Sequence, residues 1–191
     1  MTDLRVLRGA TIAPHLDALA ALRIAVFRDW PYLYDGDADY ERSYLAHYAA
    51  PGAMVAAAFD GDAMVGAATA APLEDHAGAF GAAAGALGDP ASVYYLAESV
   101  LLPAYRGRGL GHRFFDAREA EAARLGRTTC AFCAVIRPDD HPARPEGARS
   151  LEPFWRARGY APVPGAVARF AWRDVGCAAE TEKPLQVWAK R

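Results

Sequence analysis

Arg106-Gly107-Arg108-Gly109-Leu110-Gly111 lies between an apolar run ending at Leu102 and an amphipathic stretch beginning at Leu110. A chain that turns from strand to helix through alternating glycines has few ways to fold. The glycines free the backbone for left-handed conformations closed to other residues. Successive N–H groups then point outward as a nest at a helix N-terminus, a ready site for phosphate. Arg106 and Arg108 add positive charge and charge-assisted hydrogen bonds in the same turn. The stretch reads as a grip for a pyrophosphate.

The hydrophobic pattern around this turn predicts an α/β chain. Residues 4–7 read as an opening strand, and Leu16, Leu19, Leu22, Val26 and Trp30 recur at helical spacing over residues 14–29. Pro31 ends that helix. An aromatic and acidic loop follows, and Asp39 is placed to cap a second helix carrying Tyr40, Tyr44 and Tyr48 on one face. Residues 53–59 and 64–71 flank Asp60-Gly61-Asp62 as an antiparallel hairpin. The alanine- and glycine-rich residues 74–89 read as a weak helix or a mobile excursion. Residues 93–102 form the strand entering the glycine turn, and residues 109–125 the helix leaving it. A strand through Cys130 and Cys133, a proline-rich loop, a short helix over 150–158 and two final strands around Asp174-Val175-Gly176 complete the order. Strands and helices mixed in this way predict a single domain over residues 1–191 with a mixed sheet, since regular β-α alternation is lacking.

Composition removes several function classes. With 53% hydrophobic residues, the 191-residue chain can bury a sizeable core. A net charge of −2 argues against a nucleic-acid surface, which needs clustered excess Lys and Arg. The N-terminus lacks the apolar segment of a signal peptide, and no apolar run reads as long enough to span a bilayer, so a cytoplasmic protein without membrane contact is expected. The three cysteines imply no disulfide framework. Cys130 and Cys133, three apart on one strand, point to opposite faces and read as core, with no metal expected.

Three nucleotide loops compete for the glycine turn. A P-loop requires a Lys-Ser/Thr pair that is missing here. A dinucleotide-binding turn has G-x-G-x-x-G early in the chain, whereas this spacing is G-x-G-x-G past mid-chain. The pyrophosphate of coenzyme A is the third option. The run Val100-Leu101-Leu102-Pro103-Ala104-Tyr105 and the turn behind it resemble the strand, proline and R-G-x-G-x-G loop of the GNAT superfamily of acyl-CoA-dependent N-acetyltransferases. Phe154-Trp155-Arg156-Ala157-Arg158-Gly159-Tyr160 is similar to that superfamily's late helix ending in glycine and an aromatic residue.

The resemblance implies a curved, mostly antiparallel sheet of about six to seven strands flanked by helices, its central strands splayed around acyl-CoA. It implies acetyl-CoA as co-substrate and transfer of the acetyl group to a primary amine by direct attack. A small-molecule or peptide amine would be the acceptor, and a homodimer is kept open. Backbone groups of Ser99, Val100 and Leu101 would pair with the pantetheine arm. N–H groups of Arg106, Gly107, Arg108, Gly109, Leu110 and Gly111, with His112, would hold the pyrophosphate. A non-catalytic acyl-CoA-binding or regulatory domain is the alternative.

Direct attack needs a neutral amine and hence a general base. Glu98, a carboxylate in an otherwise apolar strand, is the candidate, with a pKa raised by apolar surroundings; the other reading is a strand-end glutamate paired with an arginine. Trp155 stands where many GNAT enzymes carry the tyrosine that protonates the leaving thiolate, so Tyr94, Tyr95, Tyr160 or solvent would serve instead. Tyr32, Tyr34, Asp35 and Tyr40, between and on the first two helices, are candidates to meet a cationic amine, and His141 is a further candidate at the cleft mouth.

Overall fold

The computed structural model describes residues 2–191. Its strands are β1 (Asp3–Leu7), β2 (Met54–Asp60), β3 (Ala63–Pro72), β4 (Val93–Tyr95), β5 (Ser99–Leu101), β6 (Thr129–Val135), β7 (Ala161–Arg173) and β8 (Glu180–Lys190). The helices are α1 (Leu16–Phe27), α2 (Ala38–Ala46), α3 (Ala77–Phe80), α4 (Leu110–Arg124) and α5 (Glu152–Ala157). The eight strands form one open sheet in the order β1-β2-β3-β4-β6-β8-β7, with β5 also paired to β3. Only β4 and β6 run parallel; the other pairs are antiparallel.

The count exceeds the expected six to seven because residues 93–102 do not form one strand. Ala97 N–H donates to the Thr69 carbonyl (3.1 Å) and Thr69 N–H donates to the Glu98 carbonyl (3.0 Å), so two residues face one across the ladder. Such a bulge bends its strand and re-aims the side chains beside it.

Alanines dominate β2 and β3, and Ala56, Ala57, Ala58, Ala67, Ala68, Ala70 and Ala71 are all buried. Strands covered on both faces read as continuous apolar runs, and small side chains let helices approach from both sides. On one face Met54, Ala70, Phe132 and Trp188 meet Phe114 and Phe115 of α4. On the other, Val55, Ala57 and Val100 meet Leu19, Leu22 and Leu45 of α1 and α2. Further along that second face, Tyr95, Ala131 and Val187 meet Leu73, Phe80 and Leu87. Those three anchors order the alanine-rich stretch expected to be a weak helix or mobile: it folds as Leu73–Asp75 and Gly81–Leu87 3-10 turns around α3 and lies against β7. Cys130 and Cys133 are core residues on opposite faces, as their spacing predicts.

Two further expectations change. Asp37, rather than Asp39, caps α2: its Oδ1 accepts the N–H groups of Asp39 (3.1 Å) and Tyr40 (2.9 Å), because the helix starts two residues earlier. The helical run Gly9–Phe27 is 19 residues long and apolar enough to meet the length criterion for a membrane span, contrary to the sequence reading. In the fold it is two 3-10 turns followed by α1, which covers β3 and β5.

Candidate active site

The bulge opens the sheet. Leu96 N–H still reaches the Ala131 carbonyl of β6 (2.8 Å), but β5 bonds only to β3, with Gly66, Ala67 and Ala68 opposite Leu101, Val100 and Ser99. Beyond Leu96 the chain therefore diverges from β6, which goes on to pair with β8 alone. The Glu98 carbonyl and the Leu102 N–H (3.0 Å to Val65) face β3. Antiparallel alternation then turns the main chain of Ser99 and Leu101 toward the open side. Gly66 permits this close ladder: a Cβ there would lie 2.6 Å from Leu101 Cδ1 and 3.2 Å from the Val100 carbonyl.

The glycine turn stands at the end of the fork. Gly107 (φ 75°) and Gly109 (φ 77°) occupy left-handed conformations, and nothing lies within 4 Å of a Cβ at either. Gly109 is the N-cap of α4 and supplies no side-chain cap. The first intrahelical bond runs from Arg113 N–H to the Gly109 carbonyl (3.2 Å), so the N–H groups of Leu110, Gly111 and His112 carry no helical acceptor. Together with the positive end of a 15-residue helix, these donors fit a pyrophosphate. The arginines sit differently from the simplest expectation. Arg106 Nε donates to the Leu101 carbonyl (3.2 Å) and Arg108 Nη2 to the Ala104 carbonyl (2.9 Å), folding both over their own turn.

Glu98 projects from the bulge to the α1–α2 face, where its side chain is 12% exposed. Oε1 accepts the Tyr44 hydroxyl (2.7 Å) and pairs with the Arg23 guanidinium, while Oε2 accepts the hydroxyls of Thr69 and Tyr48, the latter at 3.5 Å. Arg23 also holds Glu41 through Nε at 2.5 Å. Burial alone would push the Glu98 carboxyl up, but Arg23 and the bonds from Thr69 and Tyr44 outweigh it and hold the carboxyl below its usual range. The sequence-based direction is thus reversed. Apolar neighbours along the strand suggested a raised pKa, whereas the partners that matter come from α1, α2 and β3. The pairing with an arginine, the other sequence reading, is what the fold contains.

Two of the tyrosines named as possible acids, Tyr94 and Tyr160, are committed elsewhere. Tyr94 donates to the Gly52 carbonyl and Tyr160 to Glu119, each at 2.9 Å, on the α4 side of the sheet. Trp155 packs its ring 5.0 Å from Phe132 and 5.2 Å from Trp188. Tyr95 lies on the Glu98 face, beside His76 and Phe80.

Of the acceptor candidates, Tyr32 packs against Phe27 and Trp172 on the Glu98 face, where burial and then the Glu98 charge push its hydroxyl pKa up. Tyr34 turns inward, its hydroxyl pKa pushed up by burial and by Glu41. Asp35 is held by Arg28 and Arg173. Tyr40 is exposed on α2 and stacks on Tyr44. The His141 ring lies tilted 5.4 Å from Trp30, which brings the 137–149 loop beside the loop after α1. Arg137 secures that contact through the Pro31 and Tyr32 carbonyls.

Several residues at the site escaped sequence reasoning, among them Tyr44 and Tyr48, whose spacing marks only a shared helix face. Arg23, Thr69 and Arg118 sit inside elements whose patterns mark them only as interruptions of apolar faces, which was the one available signal. His76 stacks 5.8 Å from Tyr48 and lies tilted 5.6 Å from Tyr95, and burial pulls its pKa below the ordinary histidine value. A cavity of about 420 Å3 lies among Ile136, Arg137, Asp174 and Lys183, where Asp174 pairs with both Arg137 and Lys183.

Known proteins share this fold. The profile of the acetyltransferase (GNAT) family matches residues 19–145. No curated protein sequence matches the chain. Among solved structures, an aminoglycoside 6'-N-acetyltransferase complexed with coenzyme A is similar at 18% identity and TM-score 0.62, covering 97% of this chain and 96% of that one. A ribosomal-protein-alanine N-acetyltransferase from Brucella melitensis is similar at 16% identity and TM-score 0.63, covering 98% of each chain. An N-acetyltransferase from Thermoplasma acidophilum in complex with coenzyme A is similar at 11% identity and TM-score 0.58, covering 100% of this chain and 99% of that one. The forked sheet, the glycine turn at the head of α4 and the family match lead to one conclusion: this chain belongs to the acetyltransferase (GNAT) family of acyl-CoA-dependent N-acetyltransferases.

Proposed function

We propose that the protein moves an acetyl group from acetyl-CoA to a primary amine by direct attack within the fork. The observation that carries this reading is the juxtaposition of free helix N-terminal donors on one side of the opening and an ionised carboxylate on the other. N–H groups of residues 106–112 would hold the pyrophosphate, and the pantetheine arm would extend along the open edge of β5 at Ser99 and Leu101. The Leu101 carbonyl would exchange its Arg106 donor for an amide of that arm.

The amine nitrogen attacks the thioester carbonyl carbon, forming the C–N bond while the π pair moves onto oxygen. The attached ammonium becomes strongly acidic at that moment, so even the weakly basic Glu98 carboxylate can take its proton, directly or through water. Collapse of the intermediate breaks the C–S bond, and solvent protonates the thiolate. The ionised Glu98, with Tyr32 on the same face, favours a cationic acceptor. Aminoglycosides and ribosomal-protein alanine, the acceptors named for the structural relatives, are the first to try.

Thiol release from acetyl-CoA, measured against aminoglycosides, polyamines and peptide amines, tests the proposal. Amine-dependent release is expected. Tight acetyl-CoA binding with no release on any amine would instead support a binding or regulatory domain, a reading favoured by the commitment of Tyr94, Tyr160 and Trp155 to packing.

A further inference from the structure

Arg118 of α4 is 1% exposed, and its guanidinium lies directly behind the bulge. Nε donates to the Phe114 carbonyl (3.1 Å), Nη1 to the carbonyls of Glu98 (3.1 Å) and Thr69 (3.4 Å), and Nη2 to the Ser99 hydroxyl (2.9 Å). Every one of these acceptors is neutral. The Phe115 ring, 4.8 Å away, covers one face of the cation. Burial pushes its pKa down to about 10, which leaves it charged at neutral pH. A buried cation without a carboxylate partner is costly, and a strut for two carbonyls would not require one.

The peptide that Arg118 holds points to a use for the charge. The Glu98 carbonyl faces β3 and accepts both Thr69 N–H and Arg118 Nη1. In a planar trans peptide the N–H of the next residue points the opposite way, so Ser99 N–H faces the open fork. A cationic donor on the carbonyl polarises the whole peptide and strengthens its N–H as a donor. We propose that Arg118 is a positioning residue for acyl transfer, one that acts through the Glu98–Ser99 peptide to sharpen Ser99 N–H toward the thioester oxygen. When the C–N bond forms and the carbonyl π pair moves to that oxygen, the strengthened N–H meets the new negative charge. Breaking of the C–S bond then returns the pair and releases the thiolate. A direct oxyanion donor is worth roughly 10²–10³-fold in kcat, and an effect relayed through one peptide is expected nearer tenfold.

The inference rests on the proposed placement of the thioester beside Ser99. The test compares Arg118→Lys, which keeps the charge, with Arg118→Gln, which keeps a neutral donor. Infrared spectra of carbonyl-labelled acetyl-CoA bound to each protein are read beside kcat and KM. Wild type is expected to lower the thioester stretch relative to free acetyl-CoA. Arg118→Lys should retain most of that shift, whereas Arg118→Gln should lose most of it and about tenfold in kcat, with KM for acetyl-CoA within about threefold. Equal shifts in wild type and both variants would overturn the role of Arg118 while leaving the site intact. Absence of any shift in bound wild type would overturn the placement of the thioester, and the role of Arg118 with it.

Discussion

Replacing Glu98 with glutamine removes one charge from a buried cluster without changing its size. Arg23 then faces an amide where it had a carboxylate, while Tyr44, Tyr48 and Thr69 lose an acceptor that could take all their hydroxyls. Breaking a buried ion pair from one side costs about 3–5 kcal/mol; because Arg23 keeps Glu41, a loss of about 3 kcal/mol is expected. For a chain of this size that lowers Tm by roughly 6–12 °C. The pH dependence has a definite sign. An unfolded glutamate titrates near ~4.3, and Glu98 in the fold titrates below its ordinary value. Its stabilisation is therefore complete above the unfolded pKa and is lost as pH falls through the folded one. Urea unfolding of both proteins from pH 8 to pH 3 measures the gap. It should be constant at neutral pH and narrow below about pH 4.5. A gap that stays constant to pH 3, or one under about 0.5 kcal/mol at pH 7, would refute the argument. The same lowered pKa means that any alkaline rise in turnover belongs to the acceptor amine and should persist in the variant at a lower rate.

Three other outcomes follow from the geometry. Gly109→Val places a β-branched residue at φ 77°, so acetyl-CoA affinity measured by calorimetry should fall at least tenfold, with a stability loss of about 1–2 kcal/mol. Gly66→Ala drives a methyl group against Leu101 and the Val100 carbonyl; chemical unfolding should show a loss of about 1–3 kcal/mol, and KM for acetyl-CoA should rise as β5 shifts. Asp37→Ala should cost about 1 kcal/mol, while Asp39→Ala, at the position the sequence pattern suggests as the cap, should cost less than half of that in the same unfolding assay.

The turn at 106–111 was legible because its chemistry is local. Glycine spacing, the helix behind it and the proline before it are all written within a dozen residues, and backbone donors need no distant partner. The hairpin at Asp60-Gly61-Asp62, the opposed cysteines and the late β7–β8 pair were local too. Residues 93–102 were not, since an apolar run carries no mark of a bulge whose hydrogen bonds lie on Thr69. Nor was the order of residues 73–92, which depends on Leu73, Phe80 and Leu87 finding a sheet face.

The amino-acid sequence by itself determined the glycine turn at the head of α4, the main-chain feature proposed as the pyrophosphate grip. Tertiary structure decided the electrostatics of the fork. Glu98 looks isolated in its strand, yet α1, α2 and β3 surround it with Arg23, Tyr44, Tyr48 and Thr69. The peptide that follows it is backed by Arg118 from the opposite face of the sheet. A pKa or a polarised peptide reflects every charge and dipole within a few ångströms, and those neighbours are assembled only when the chain folds.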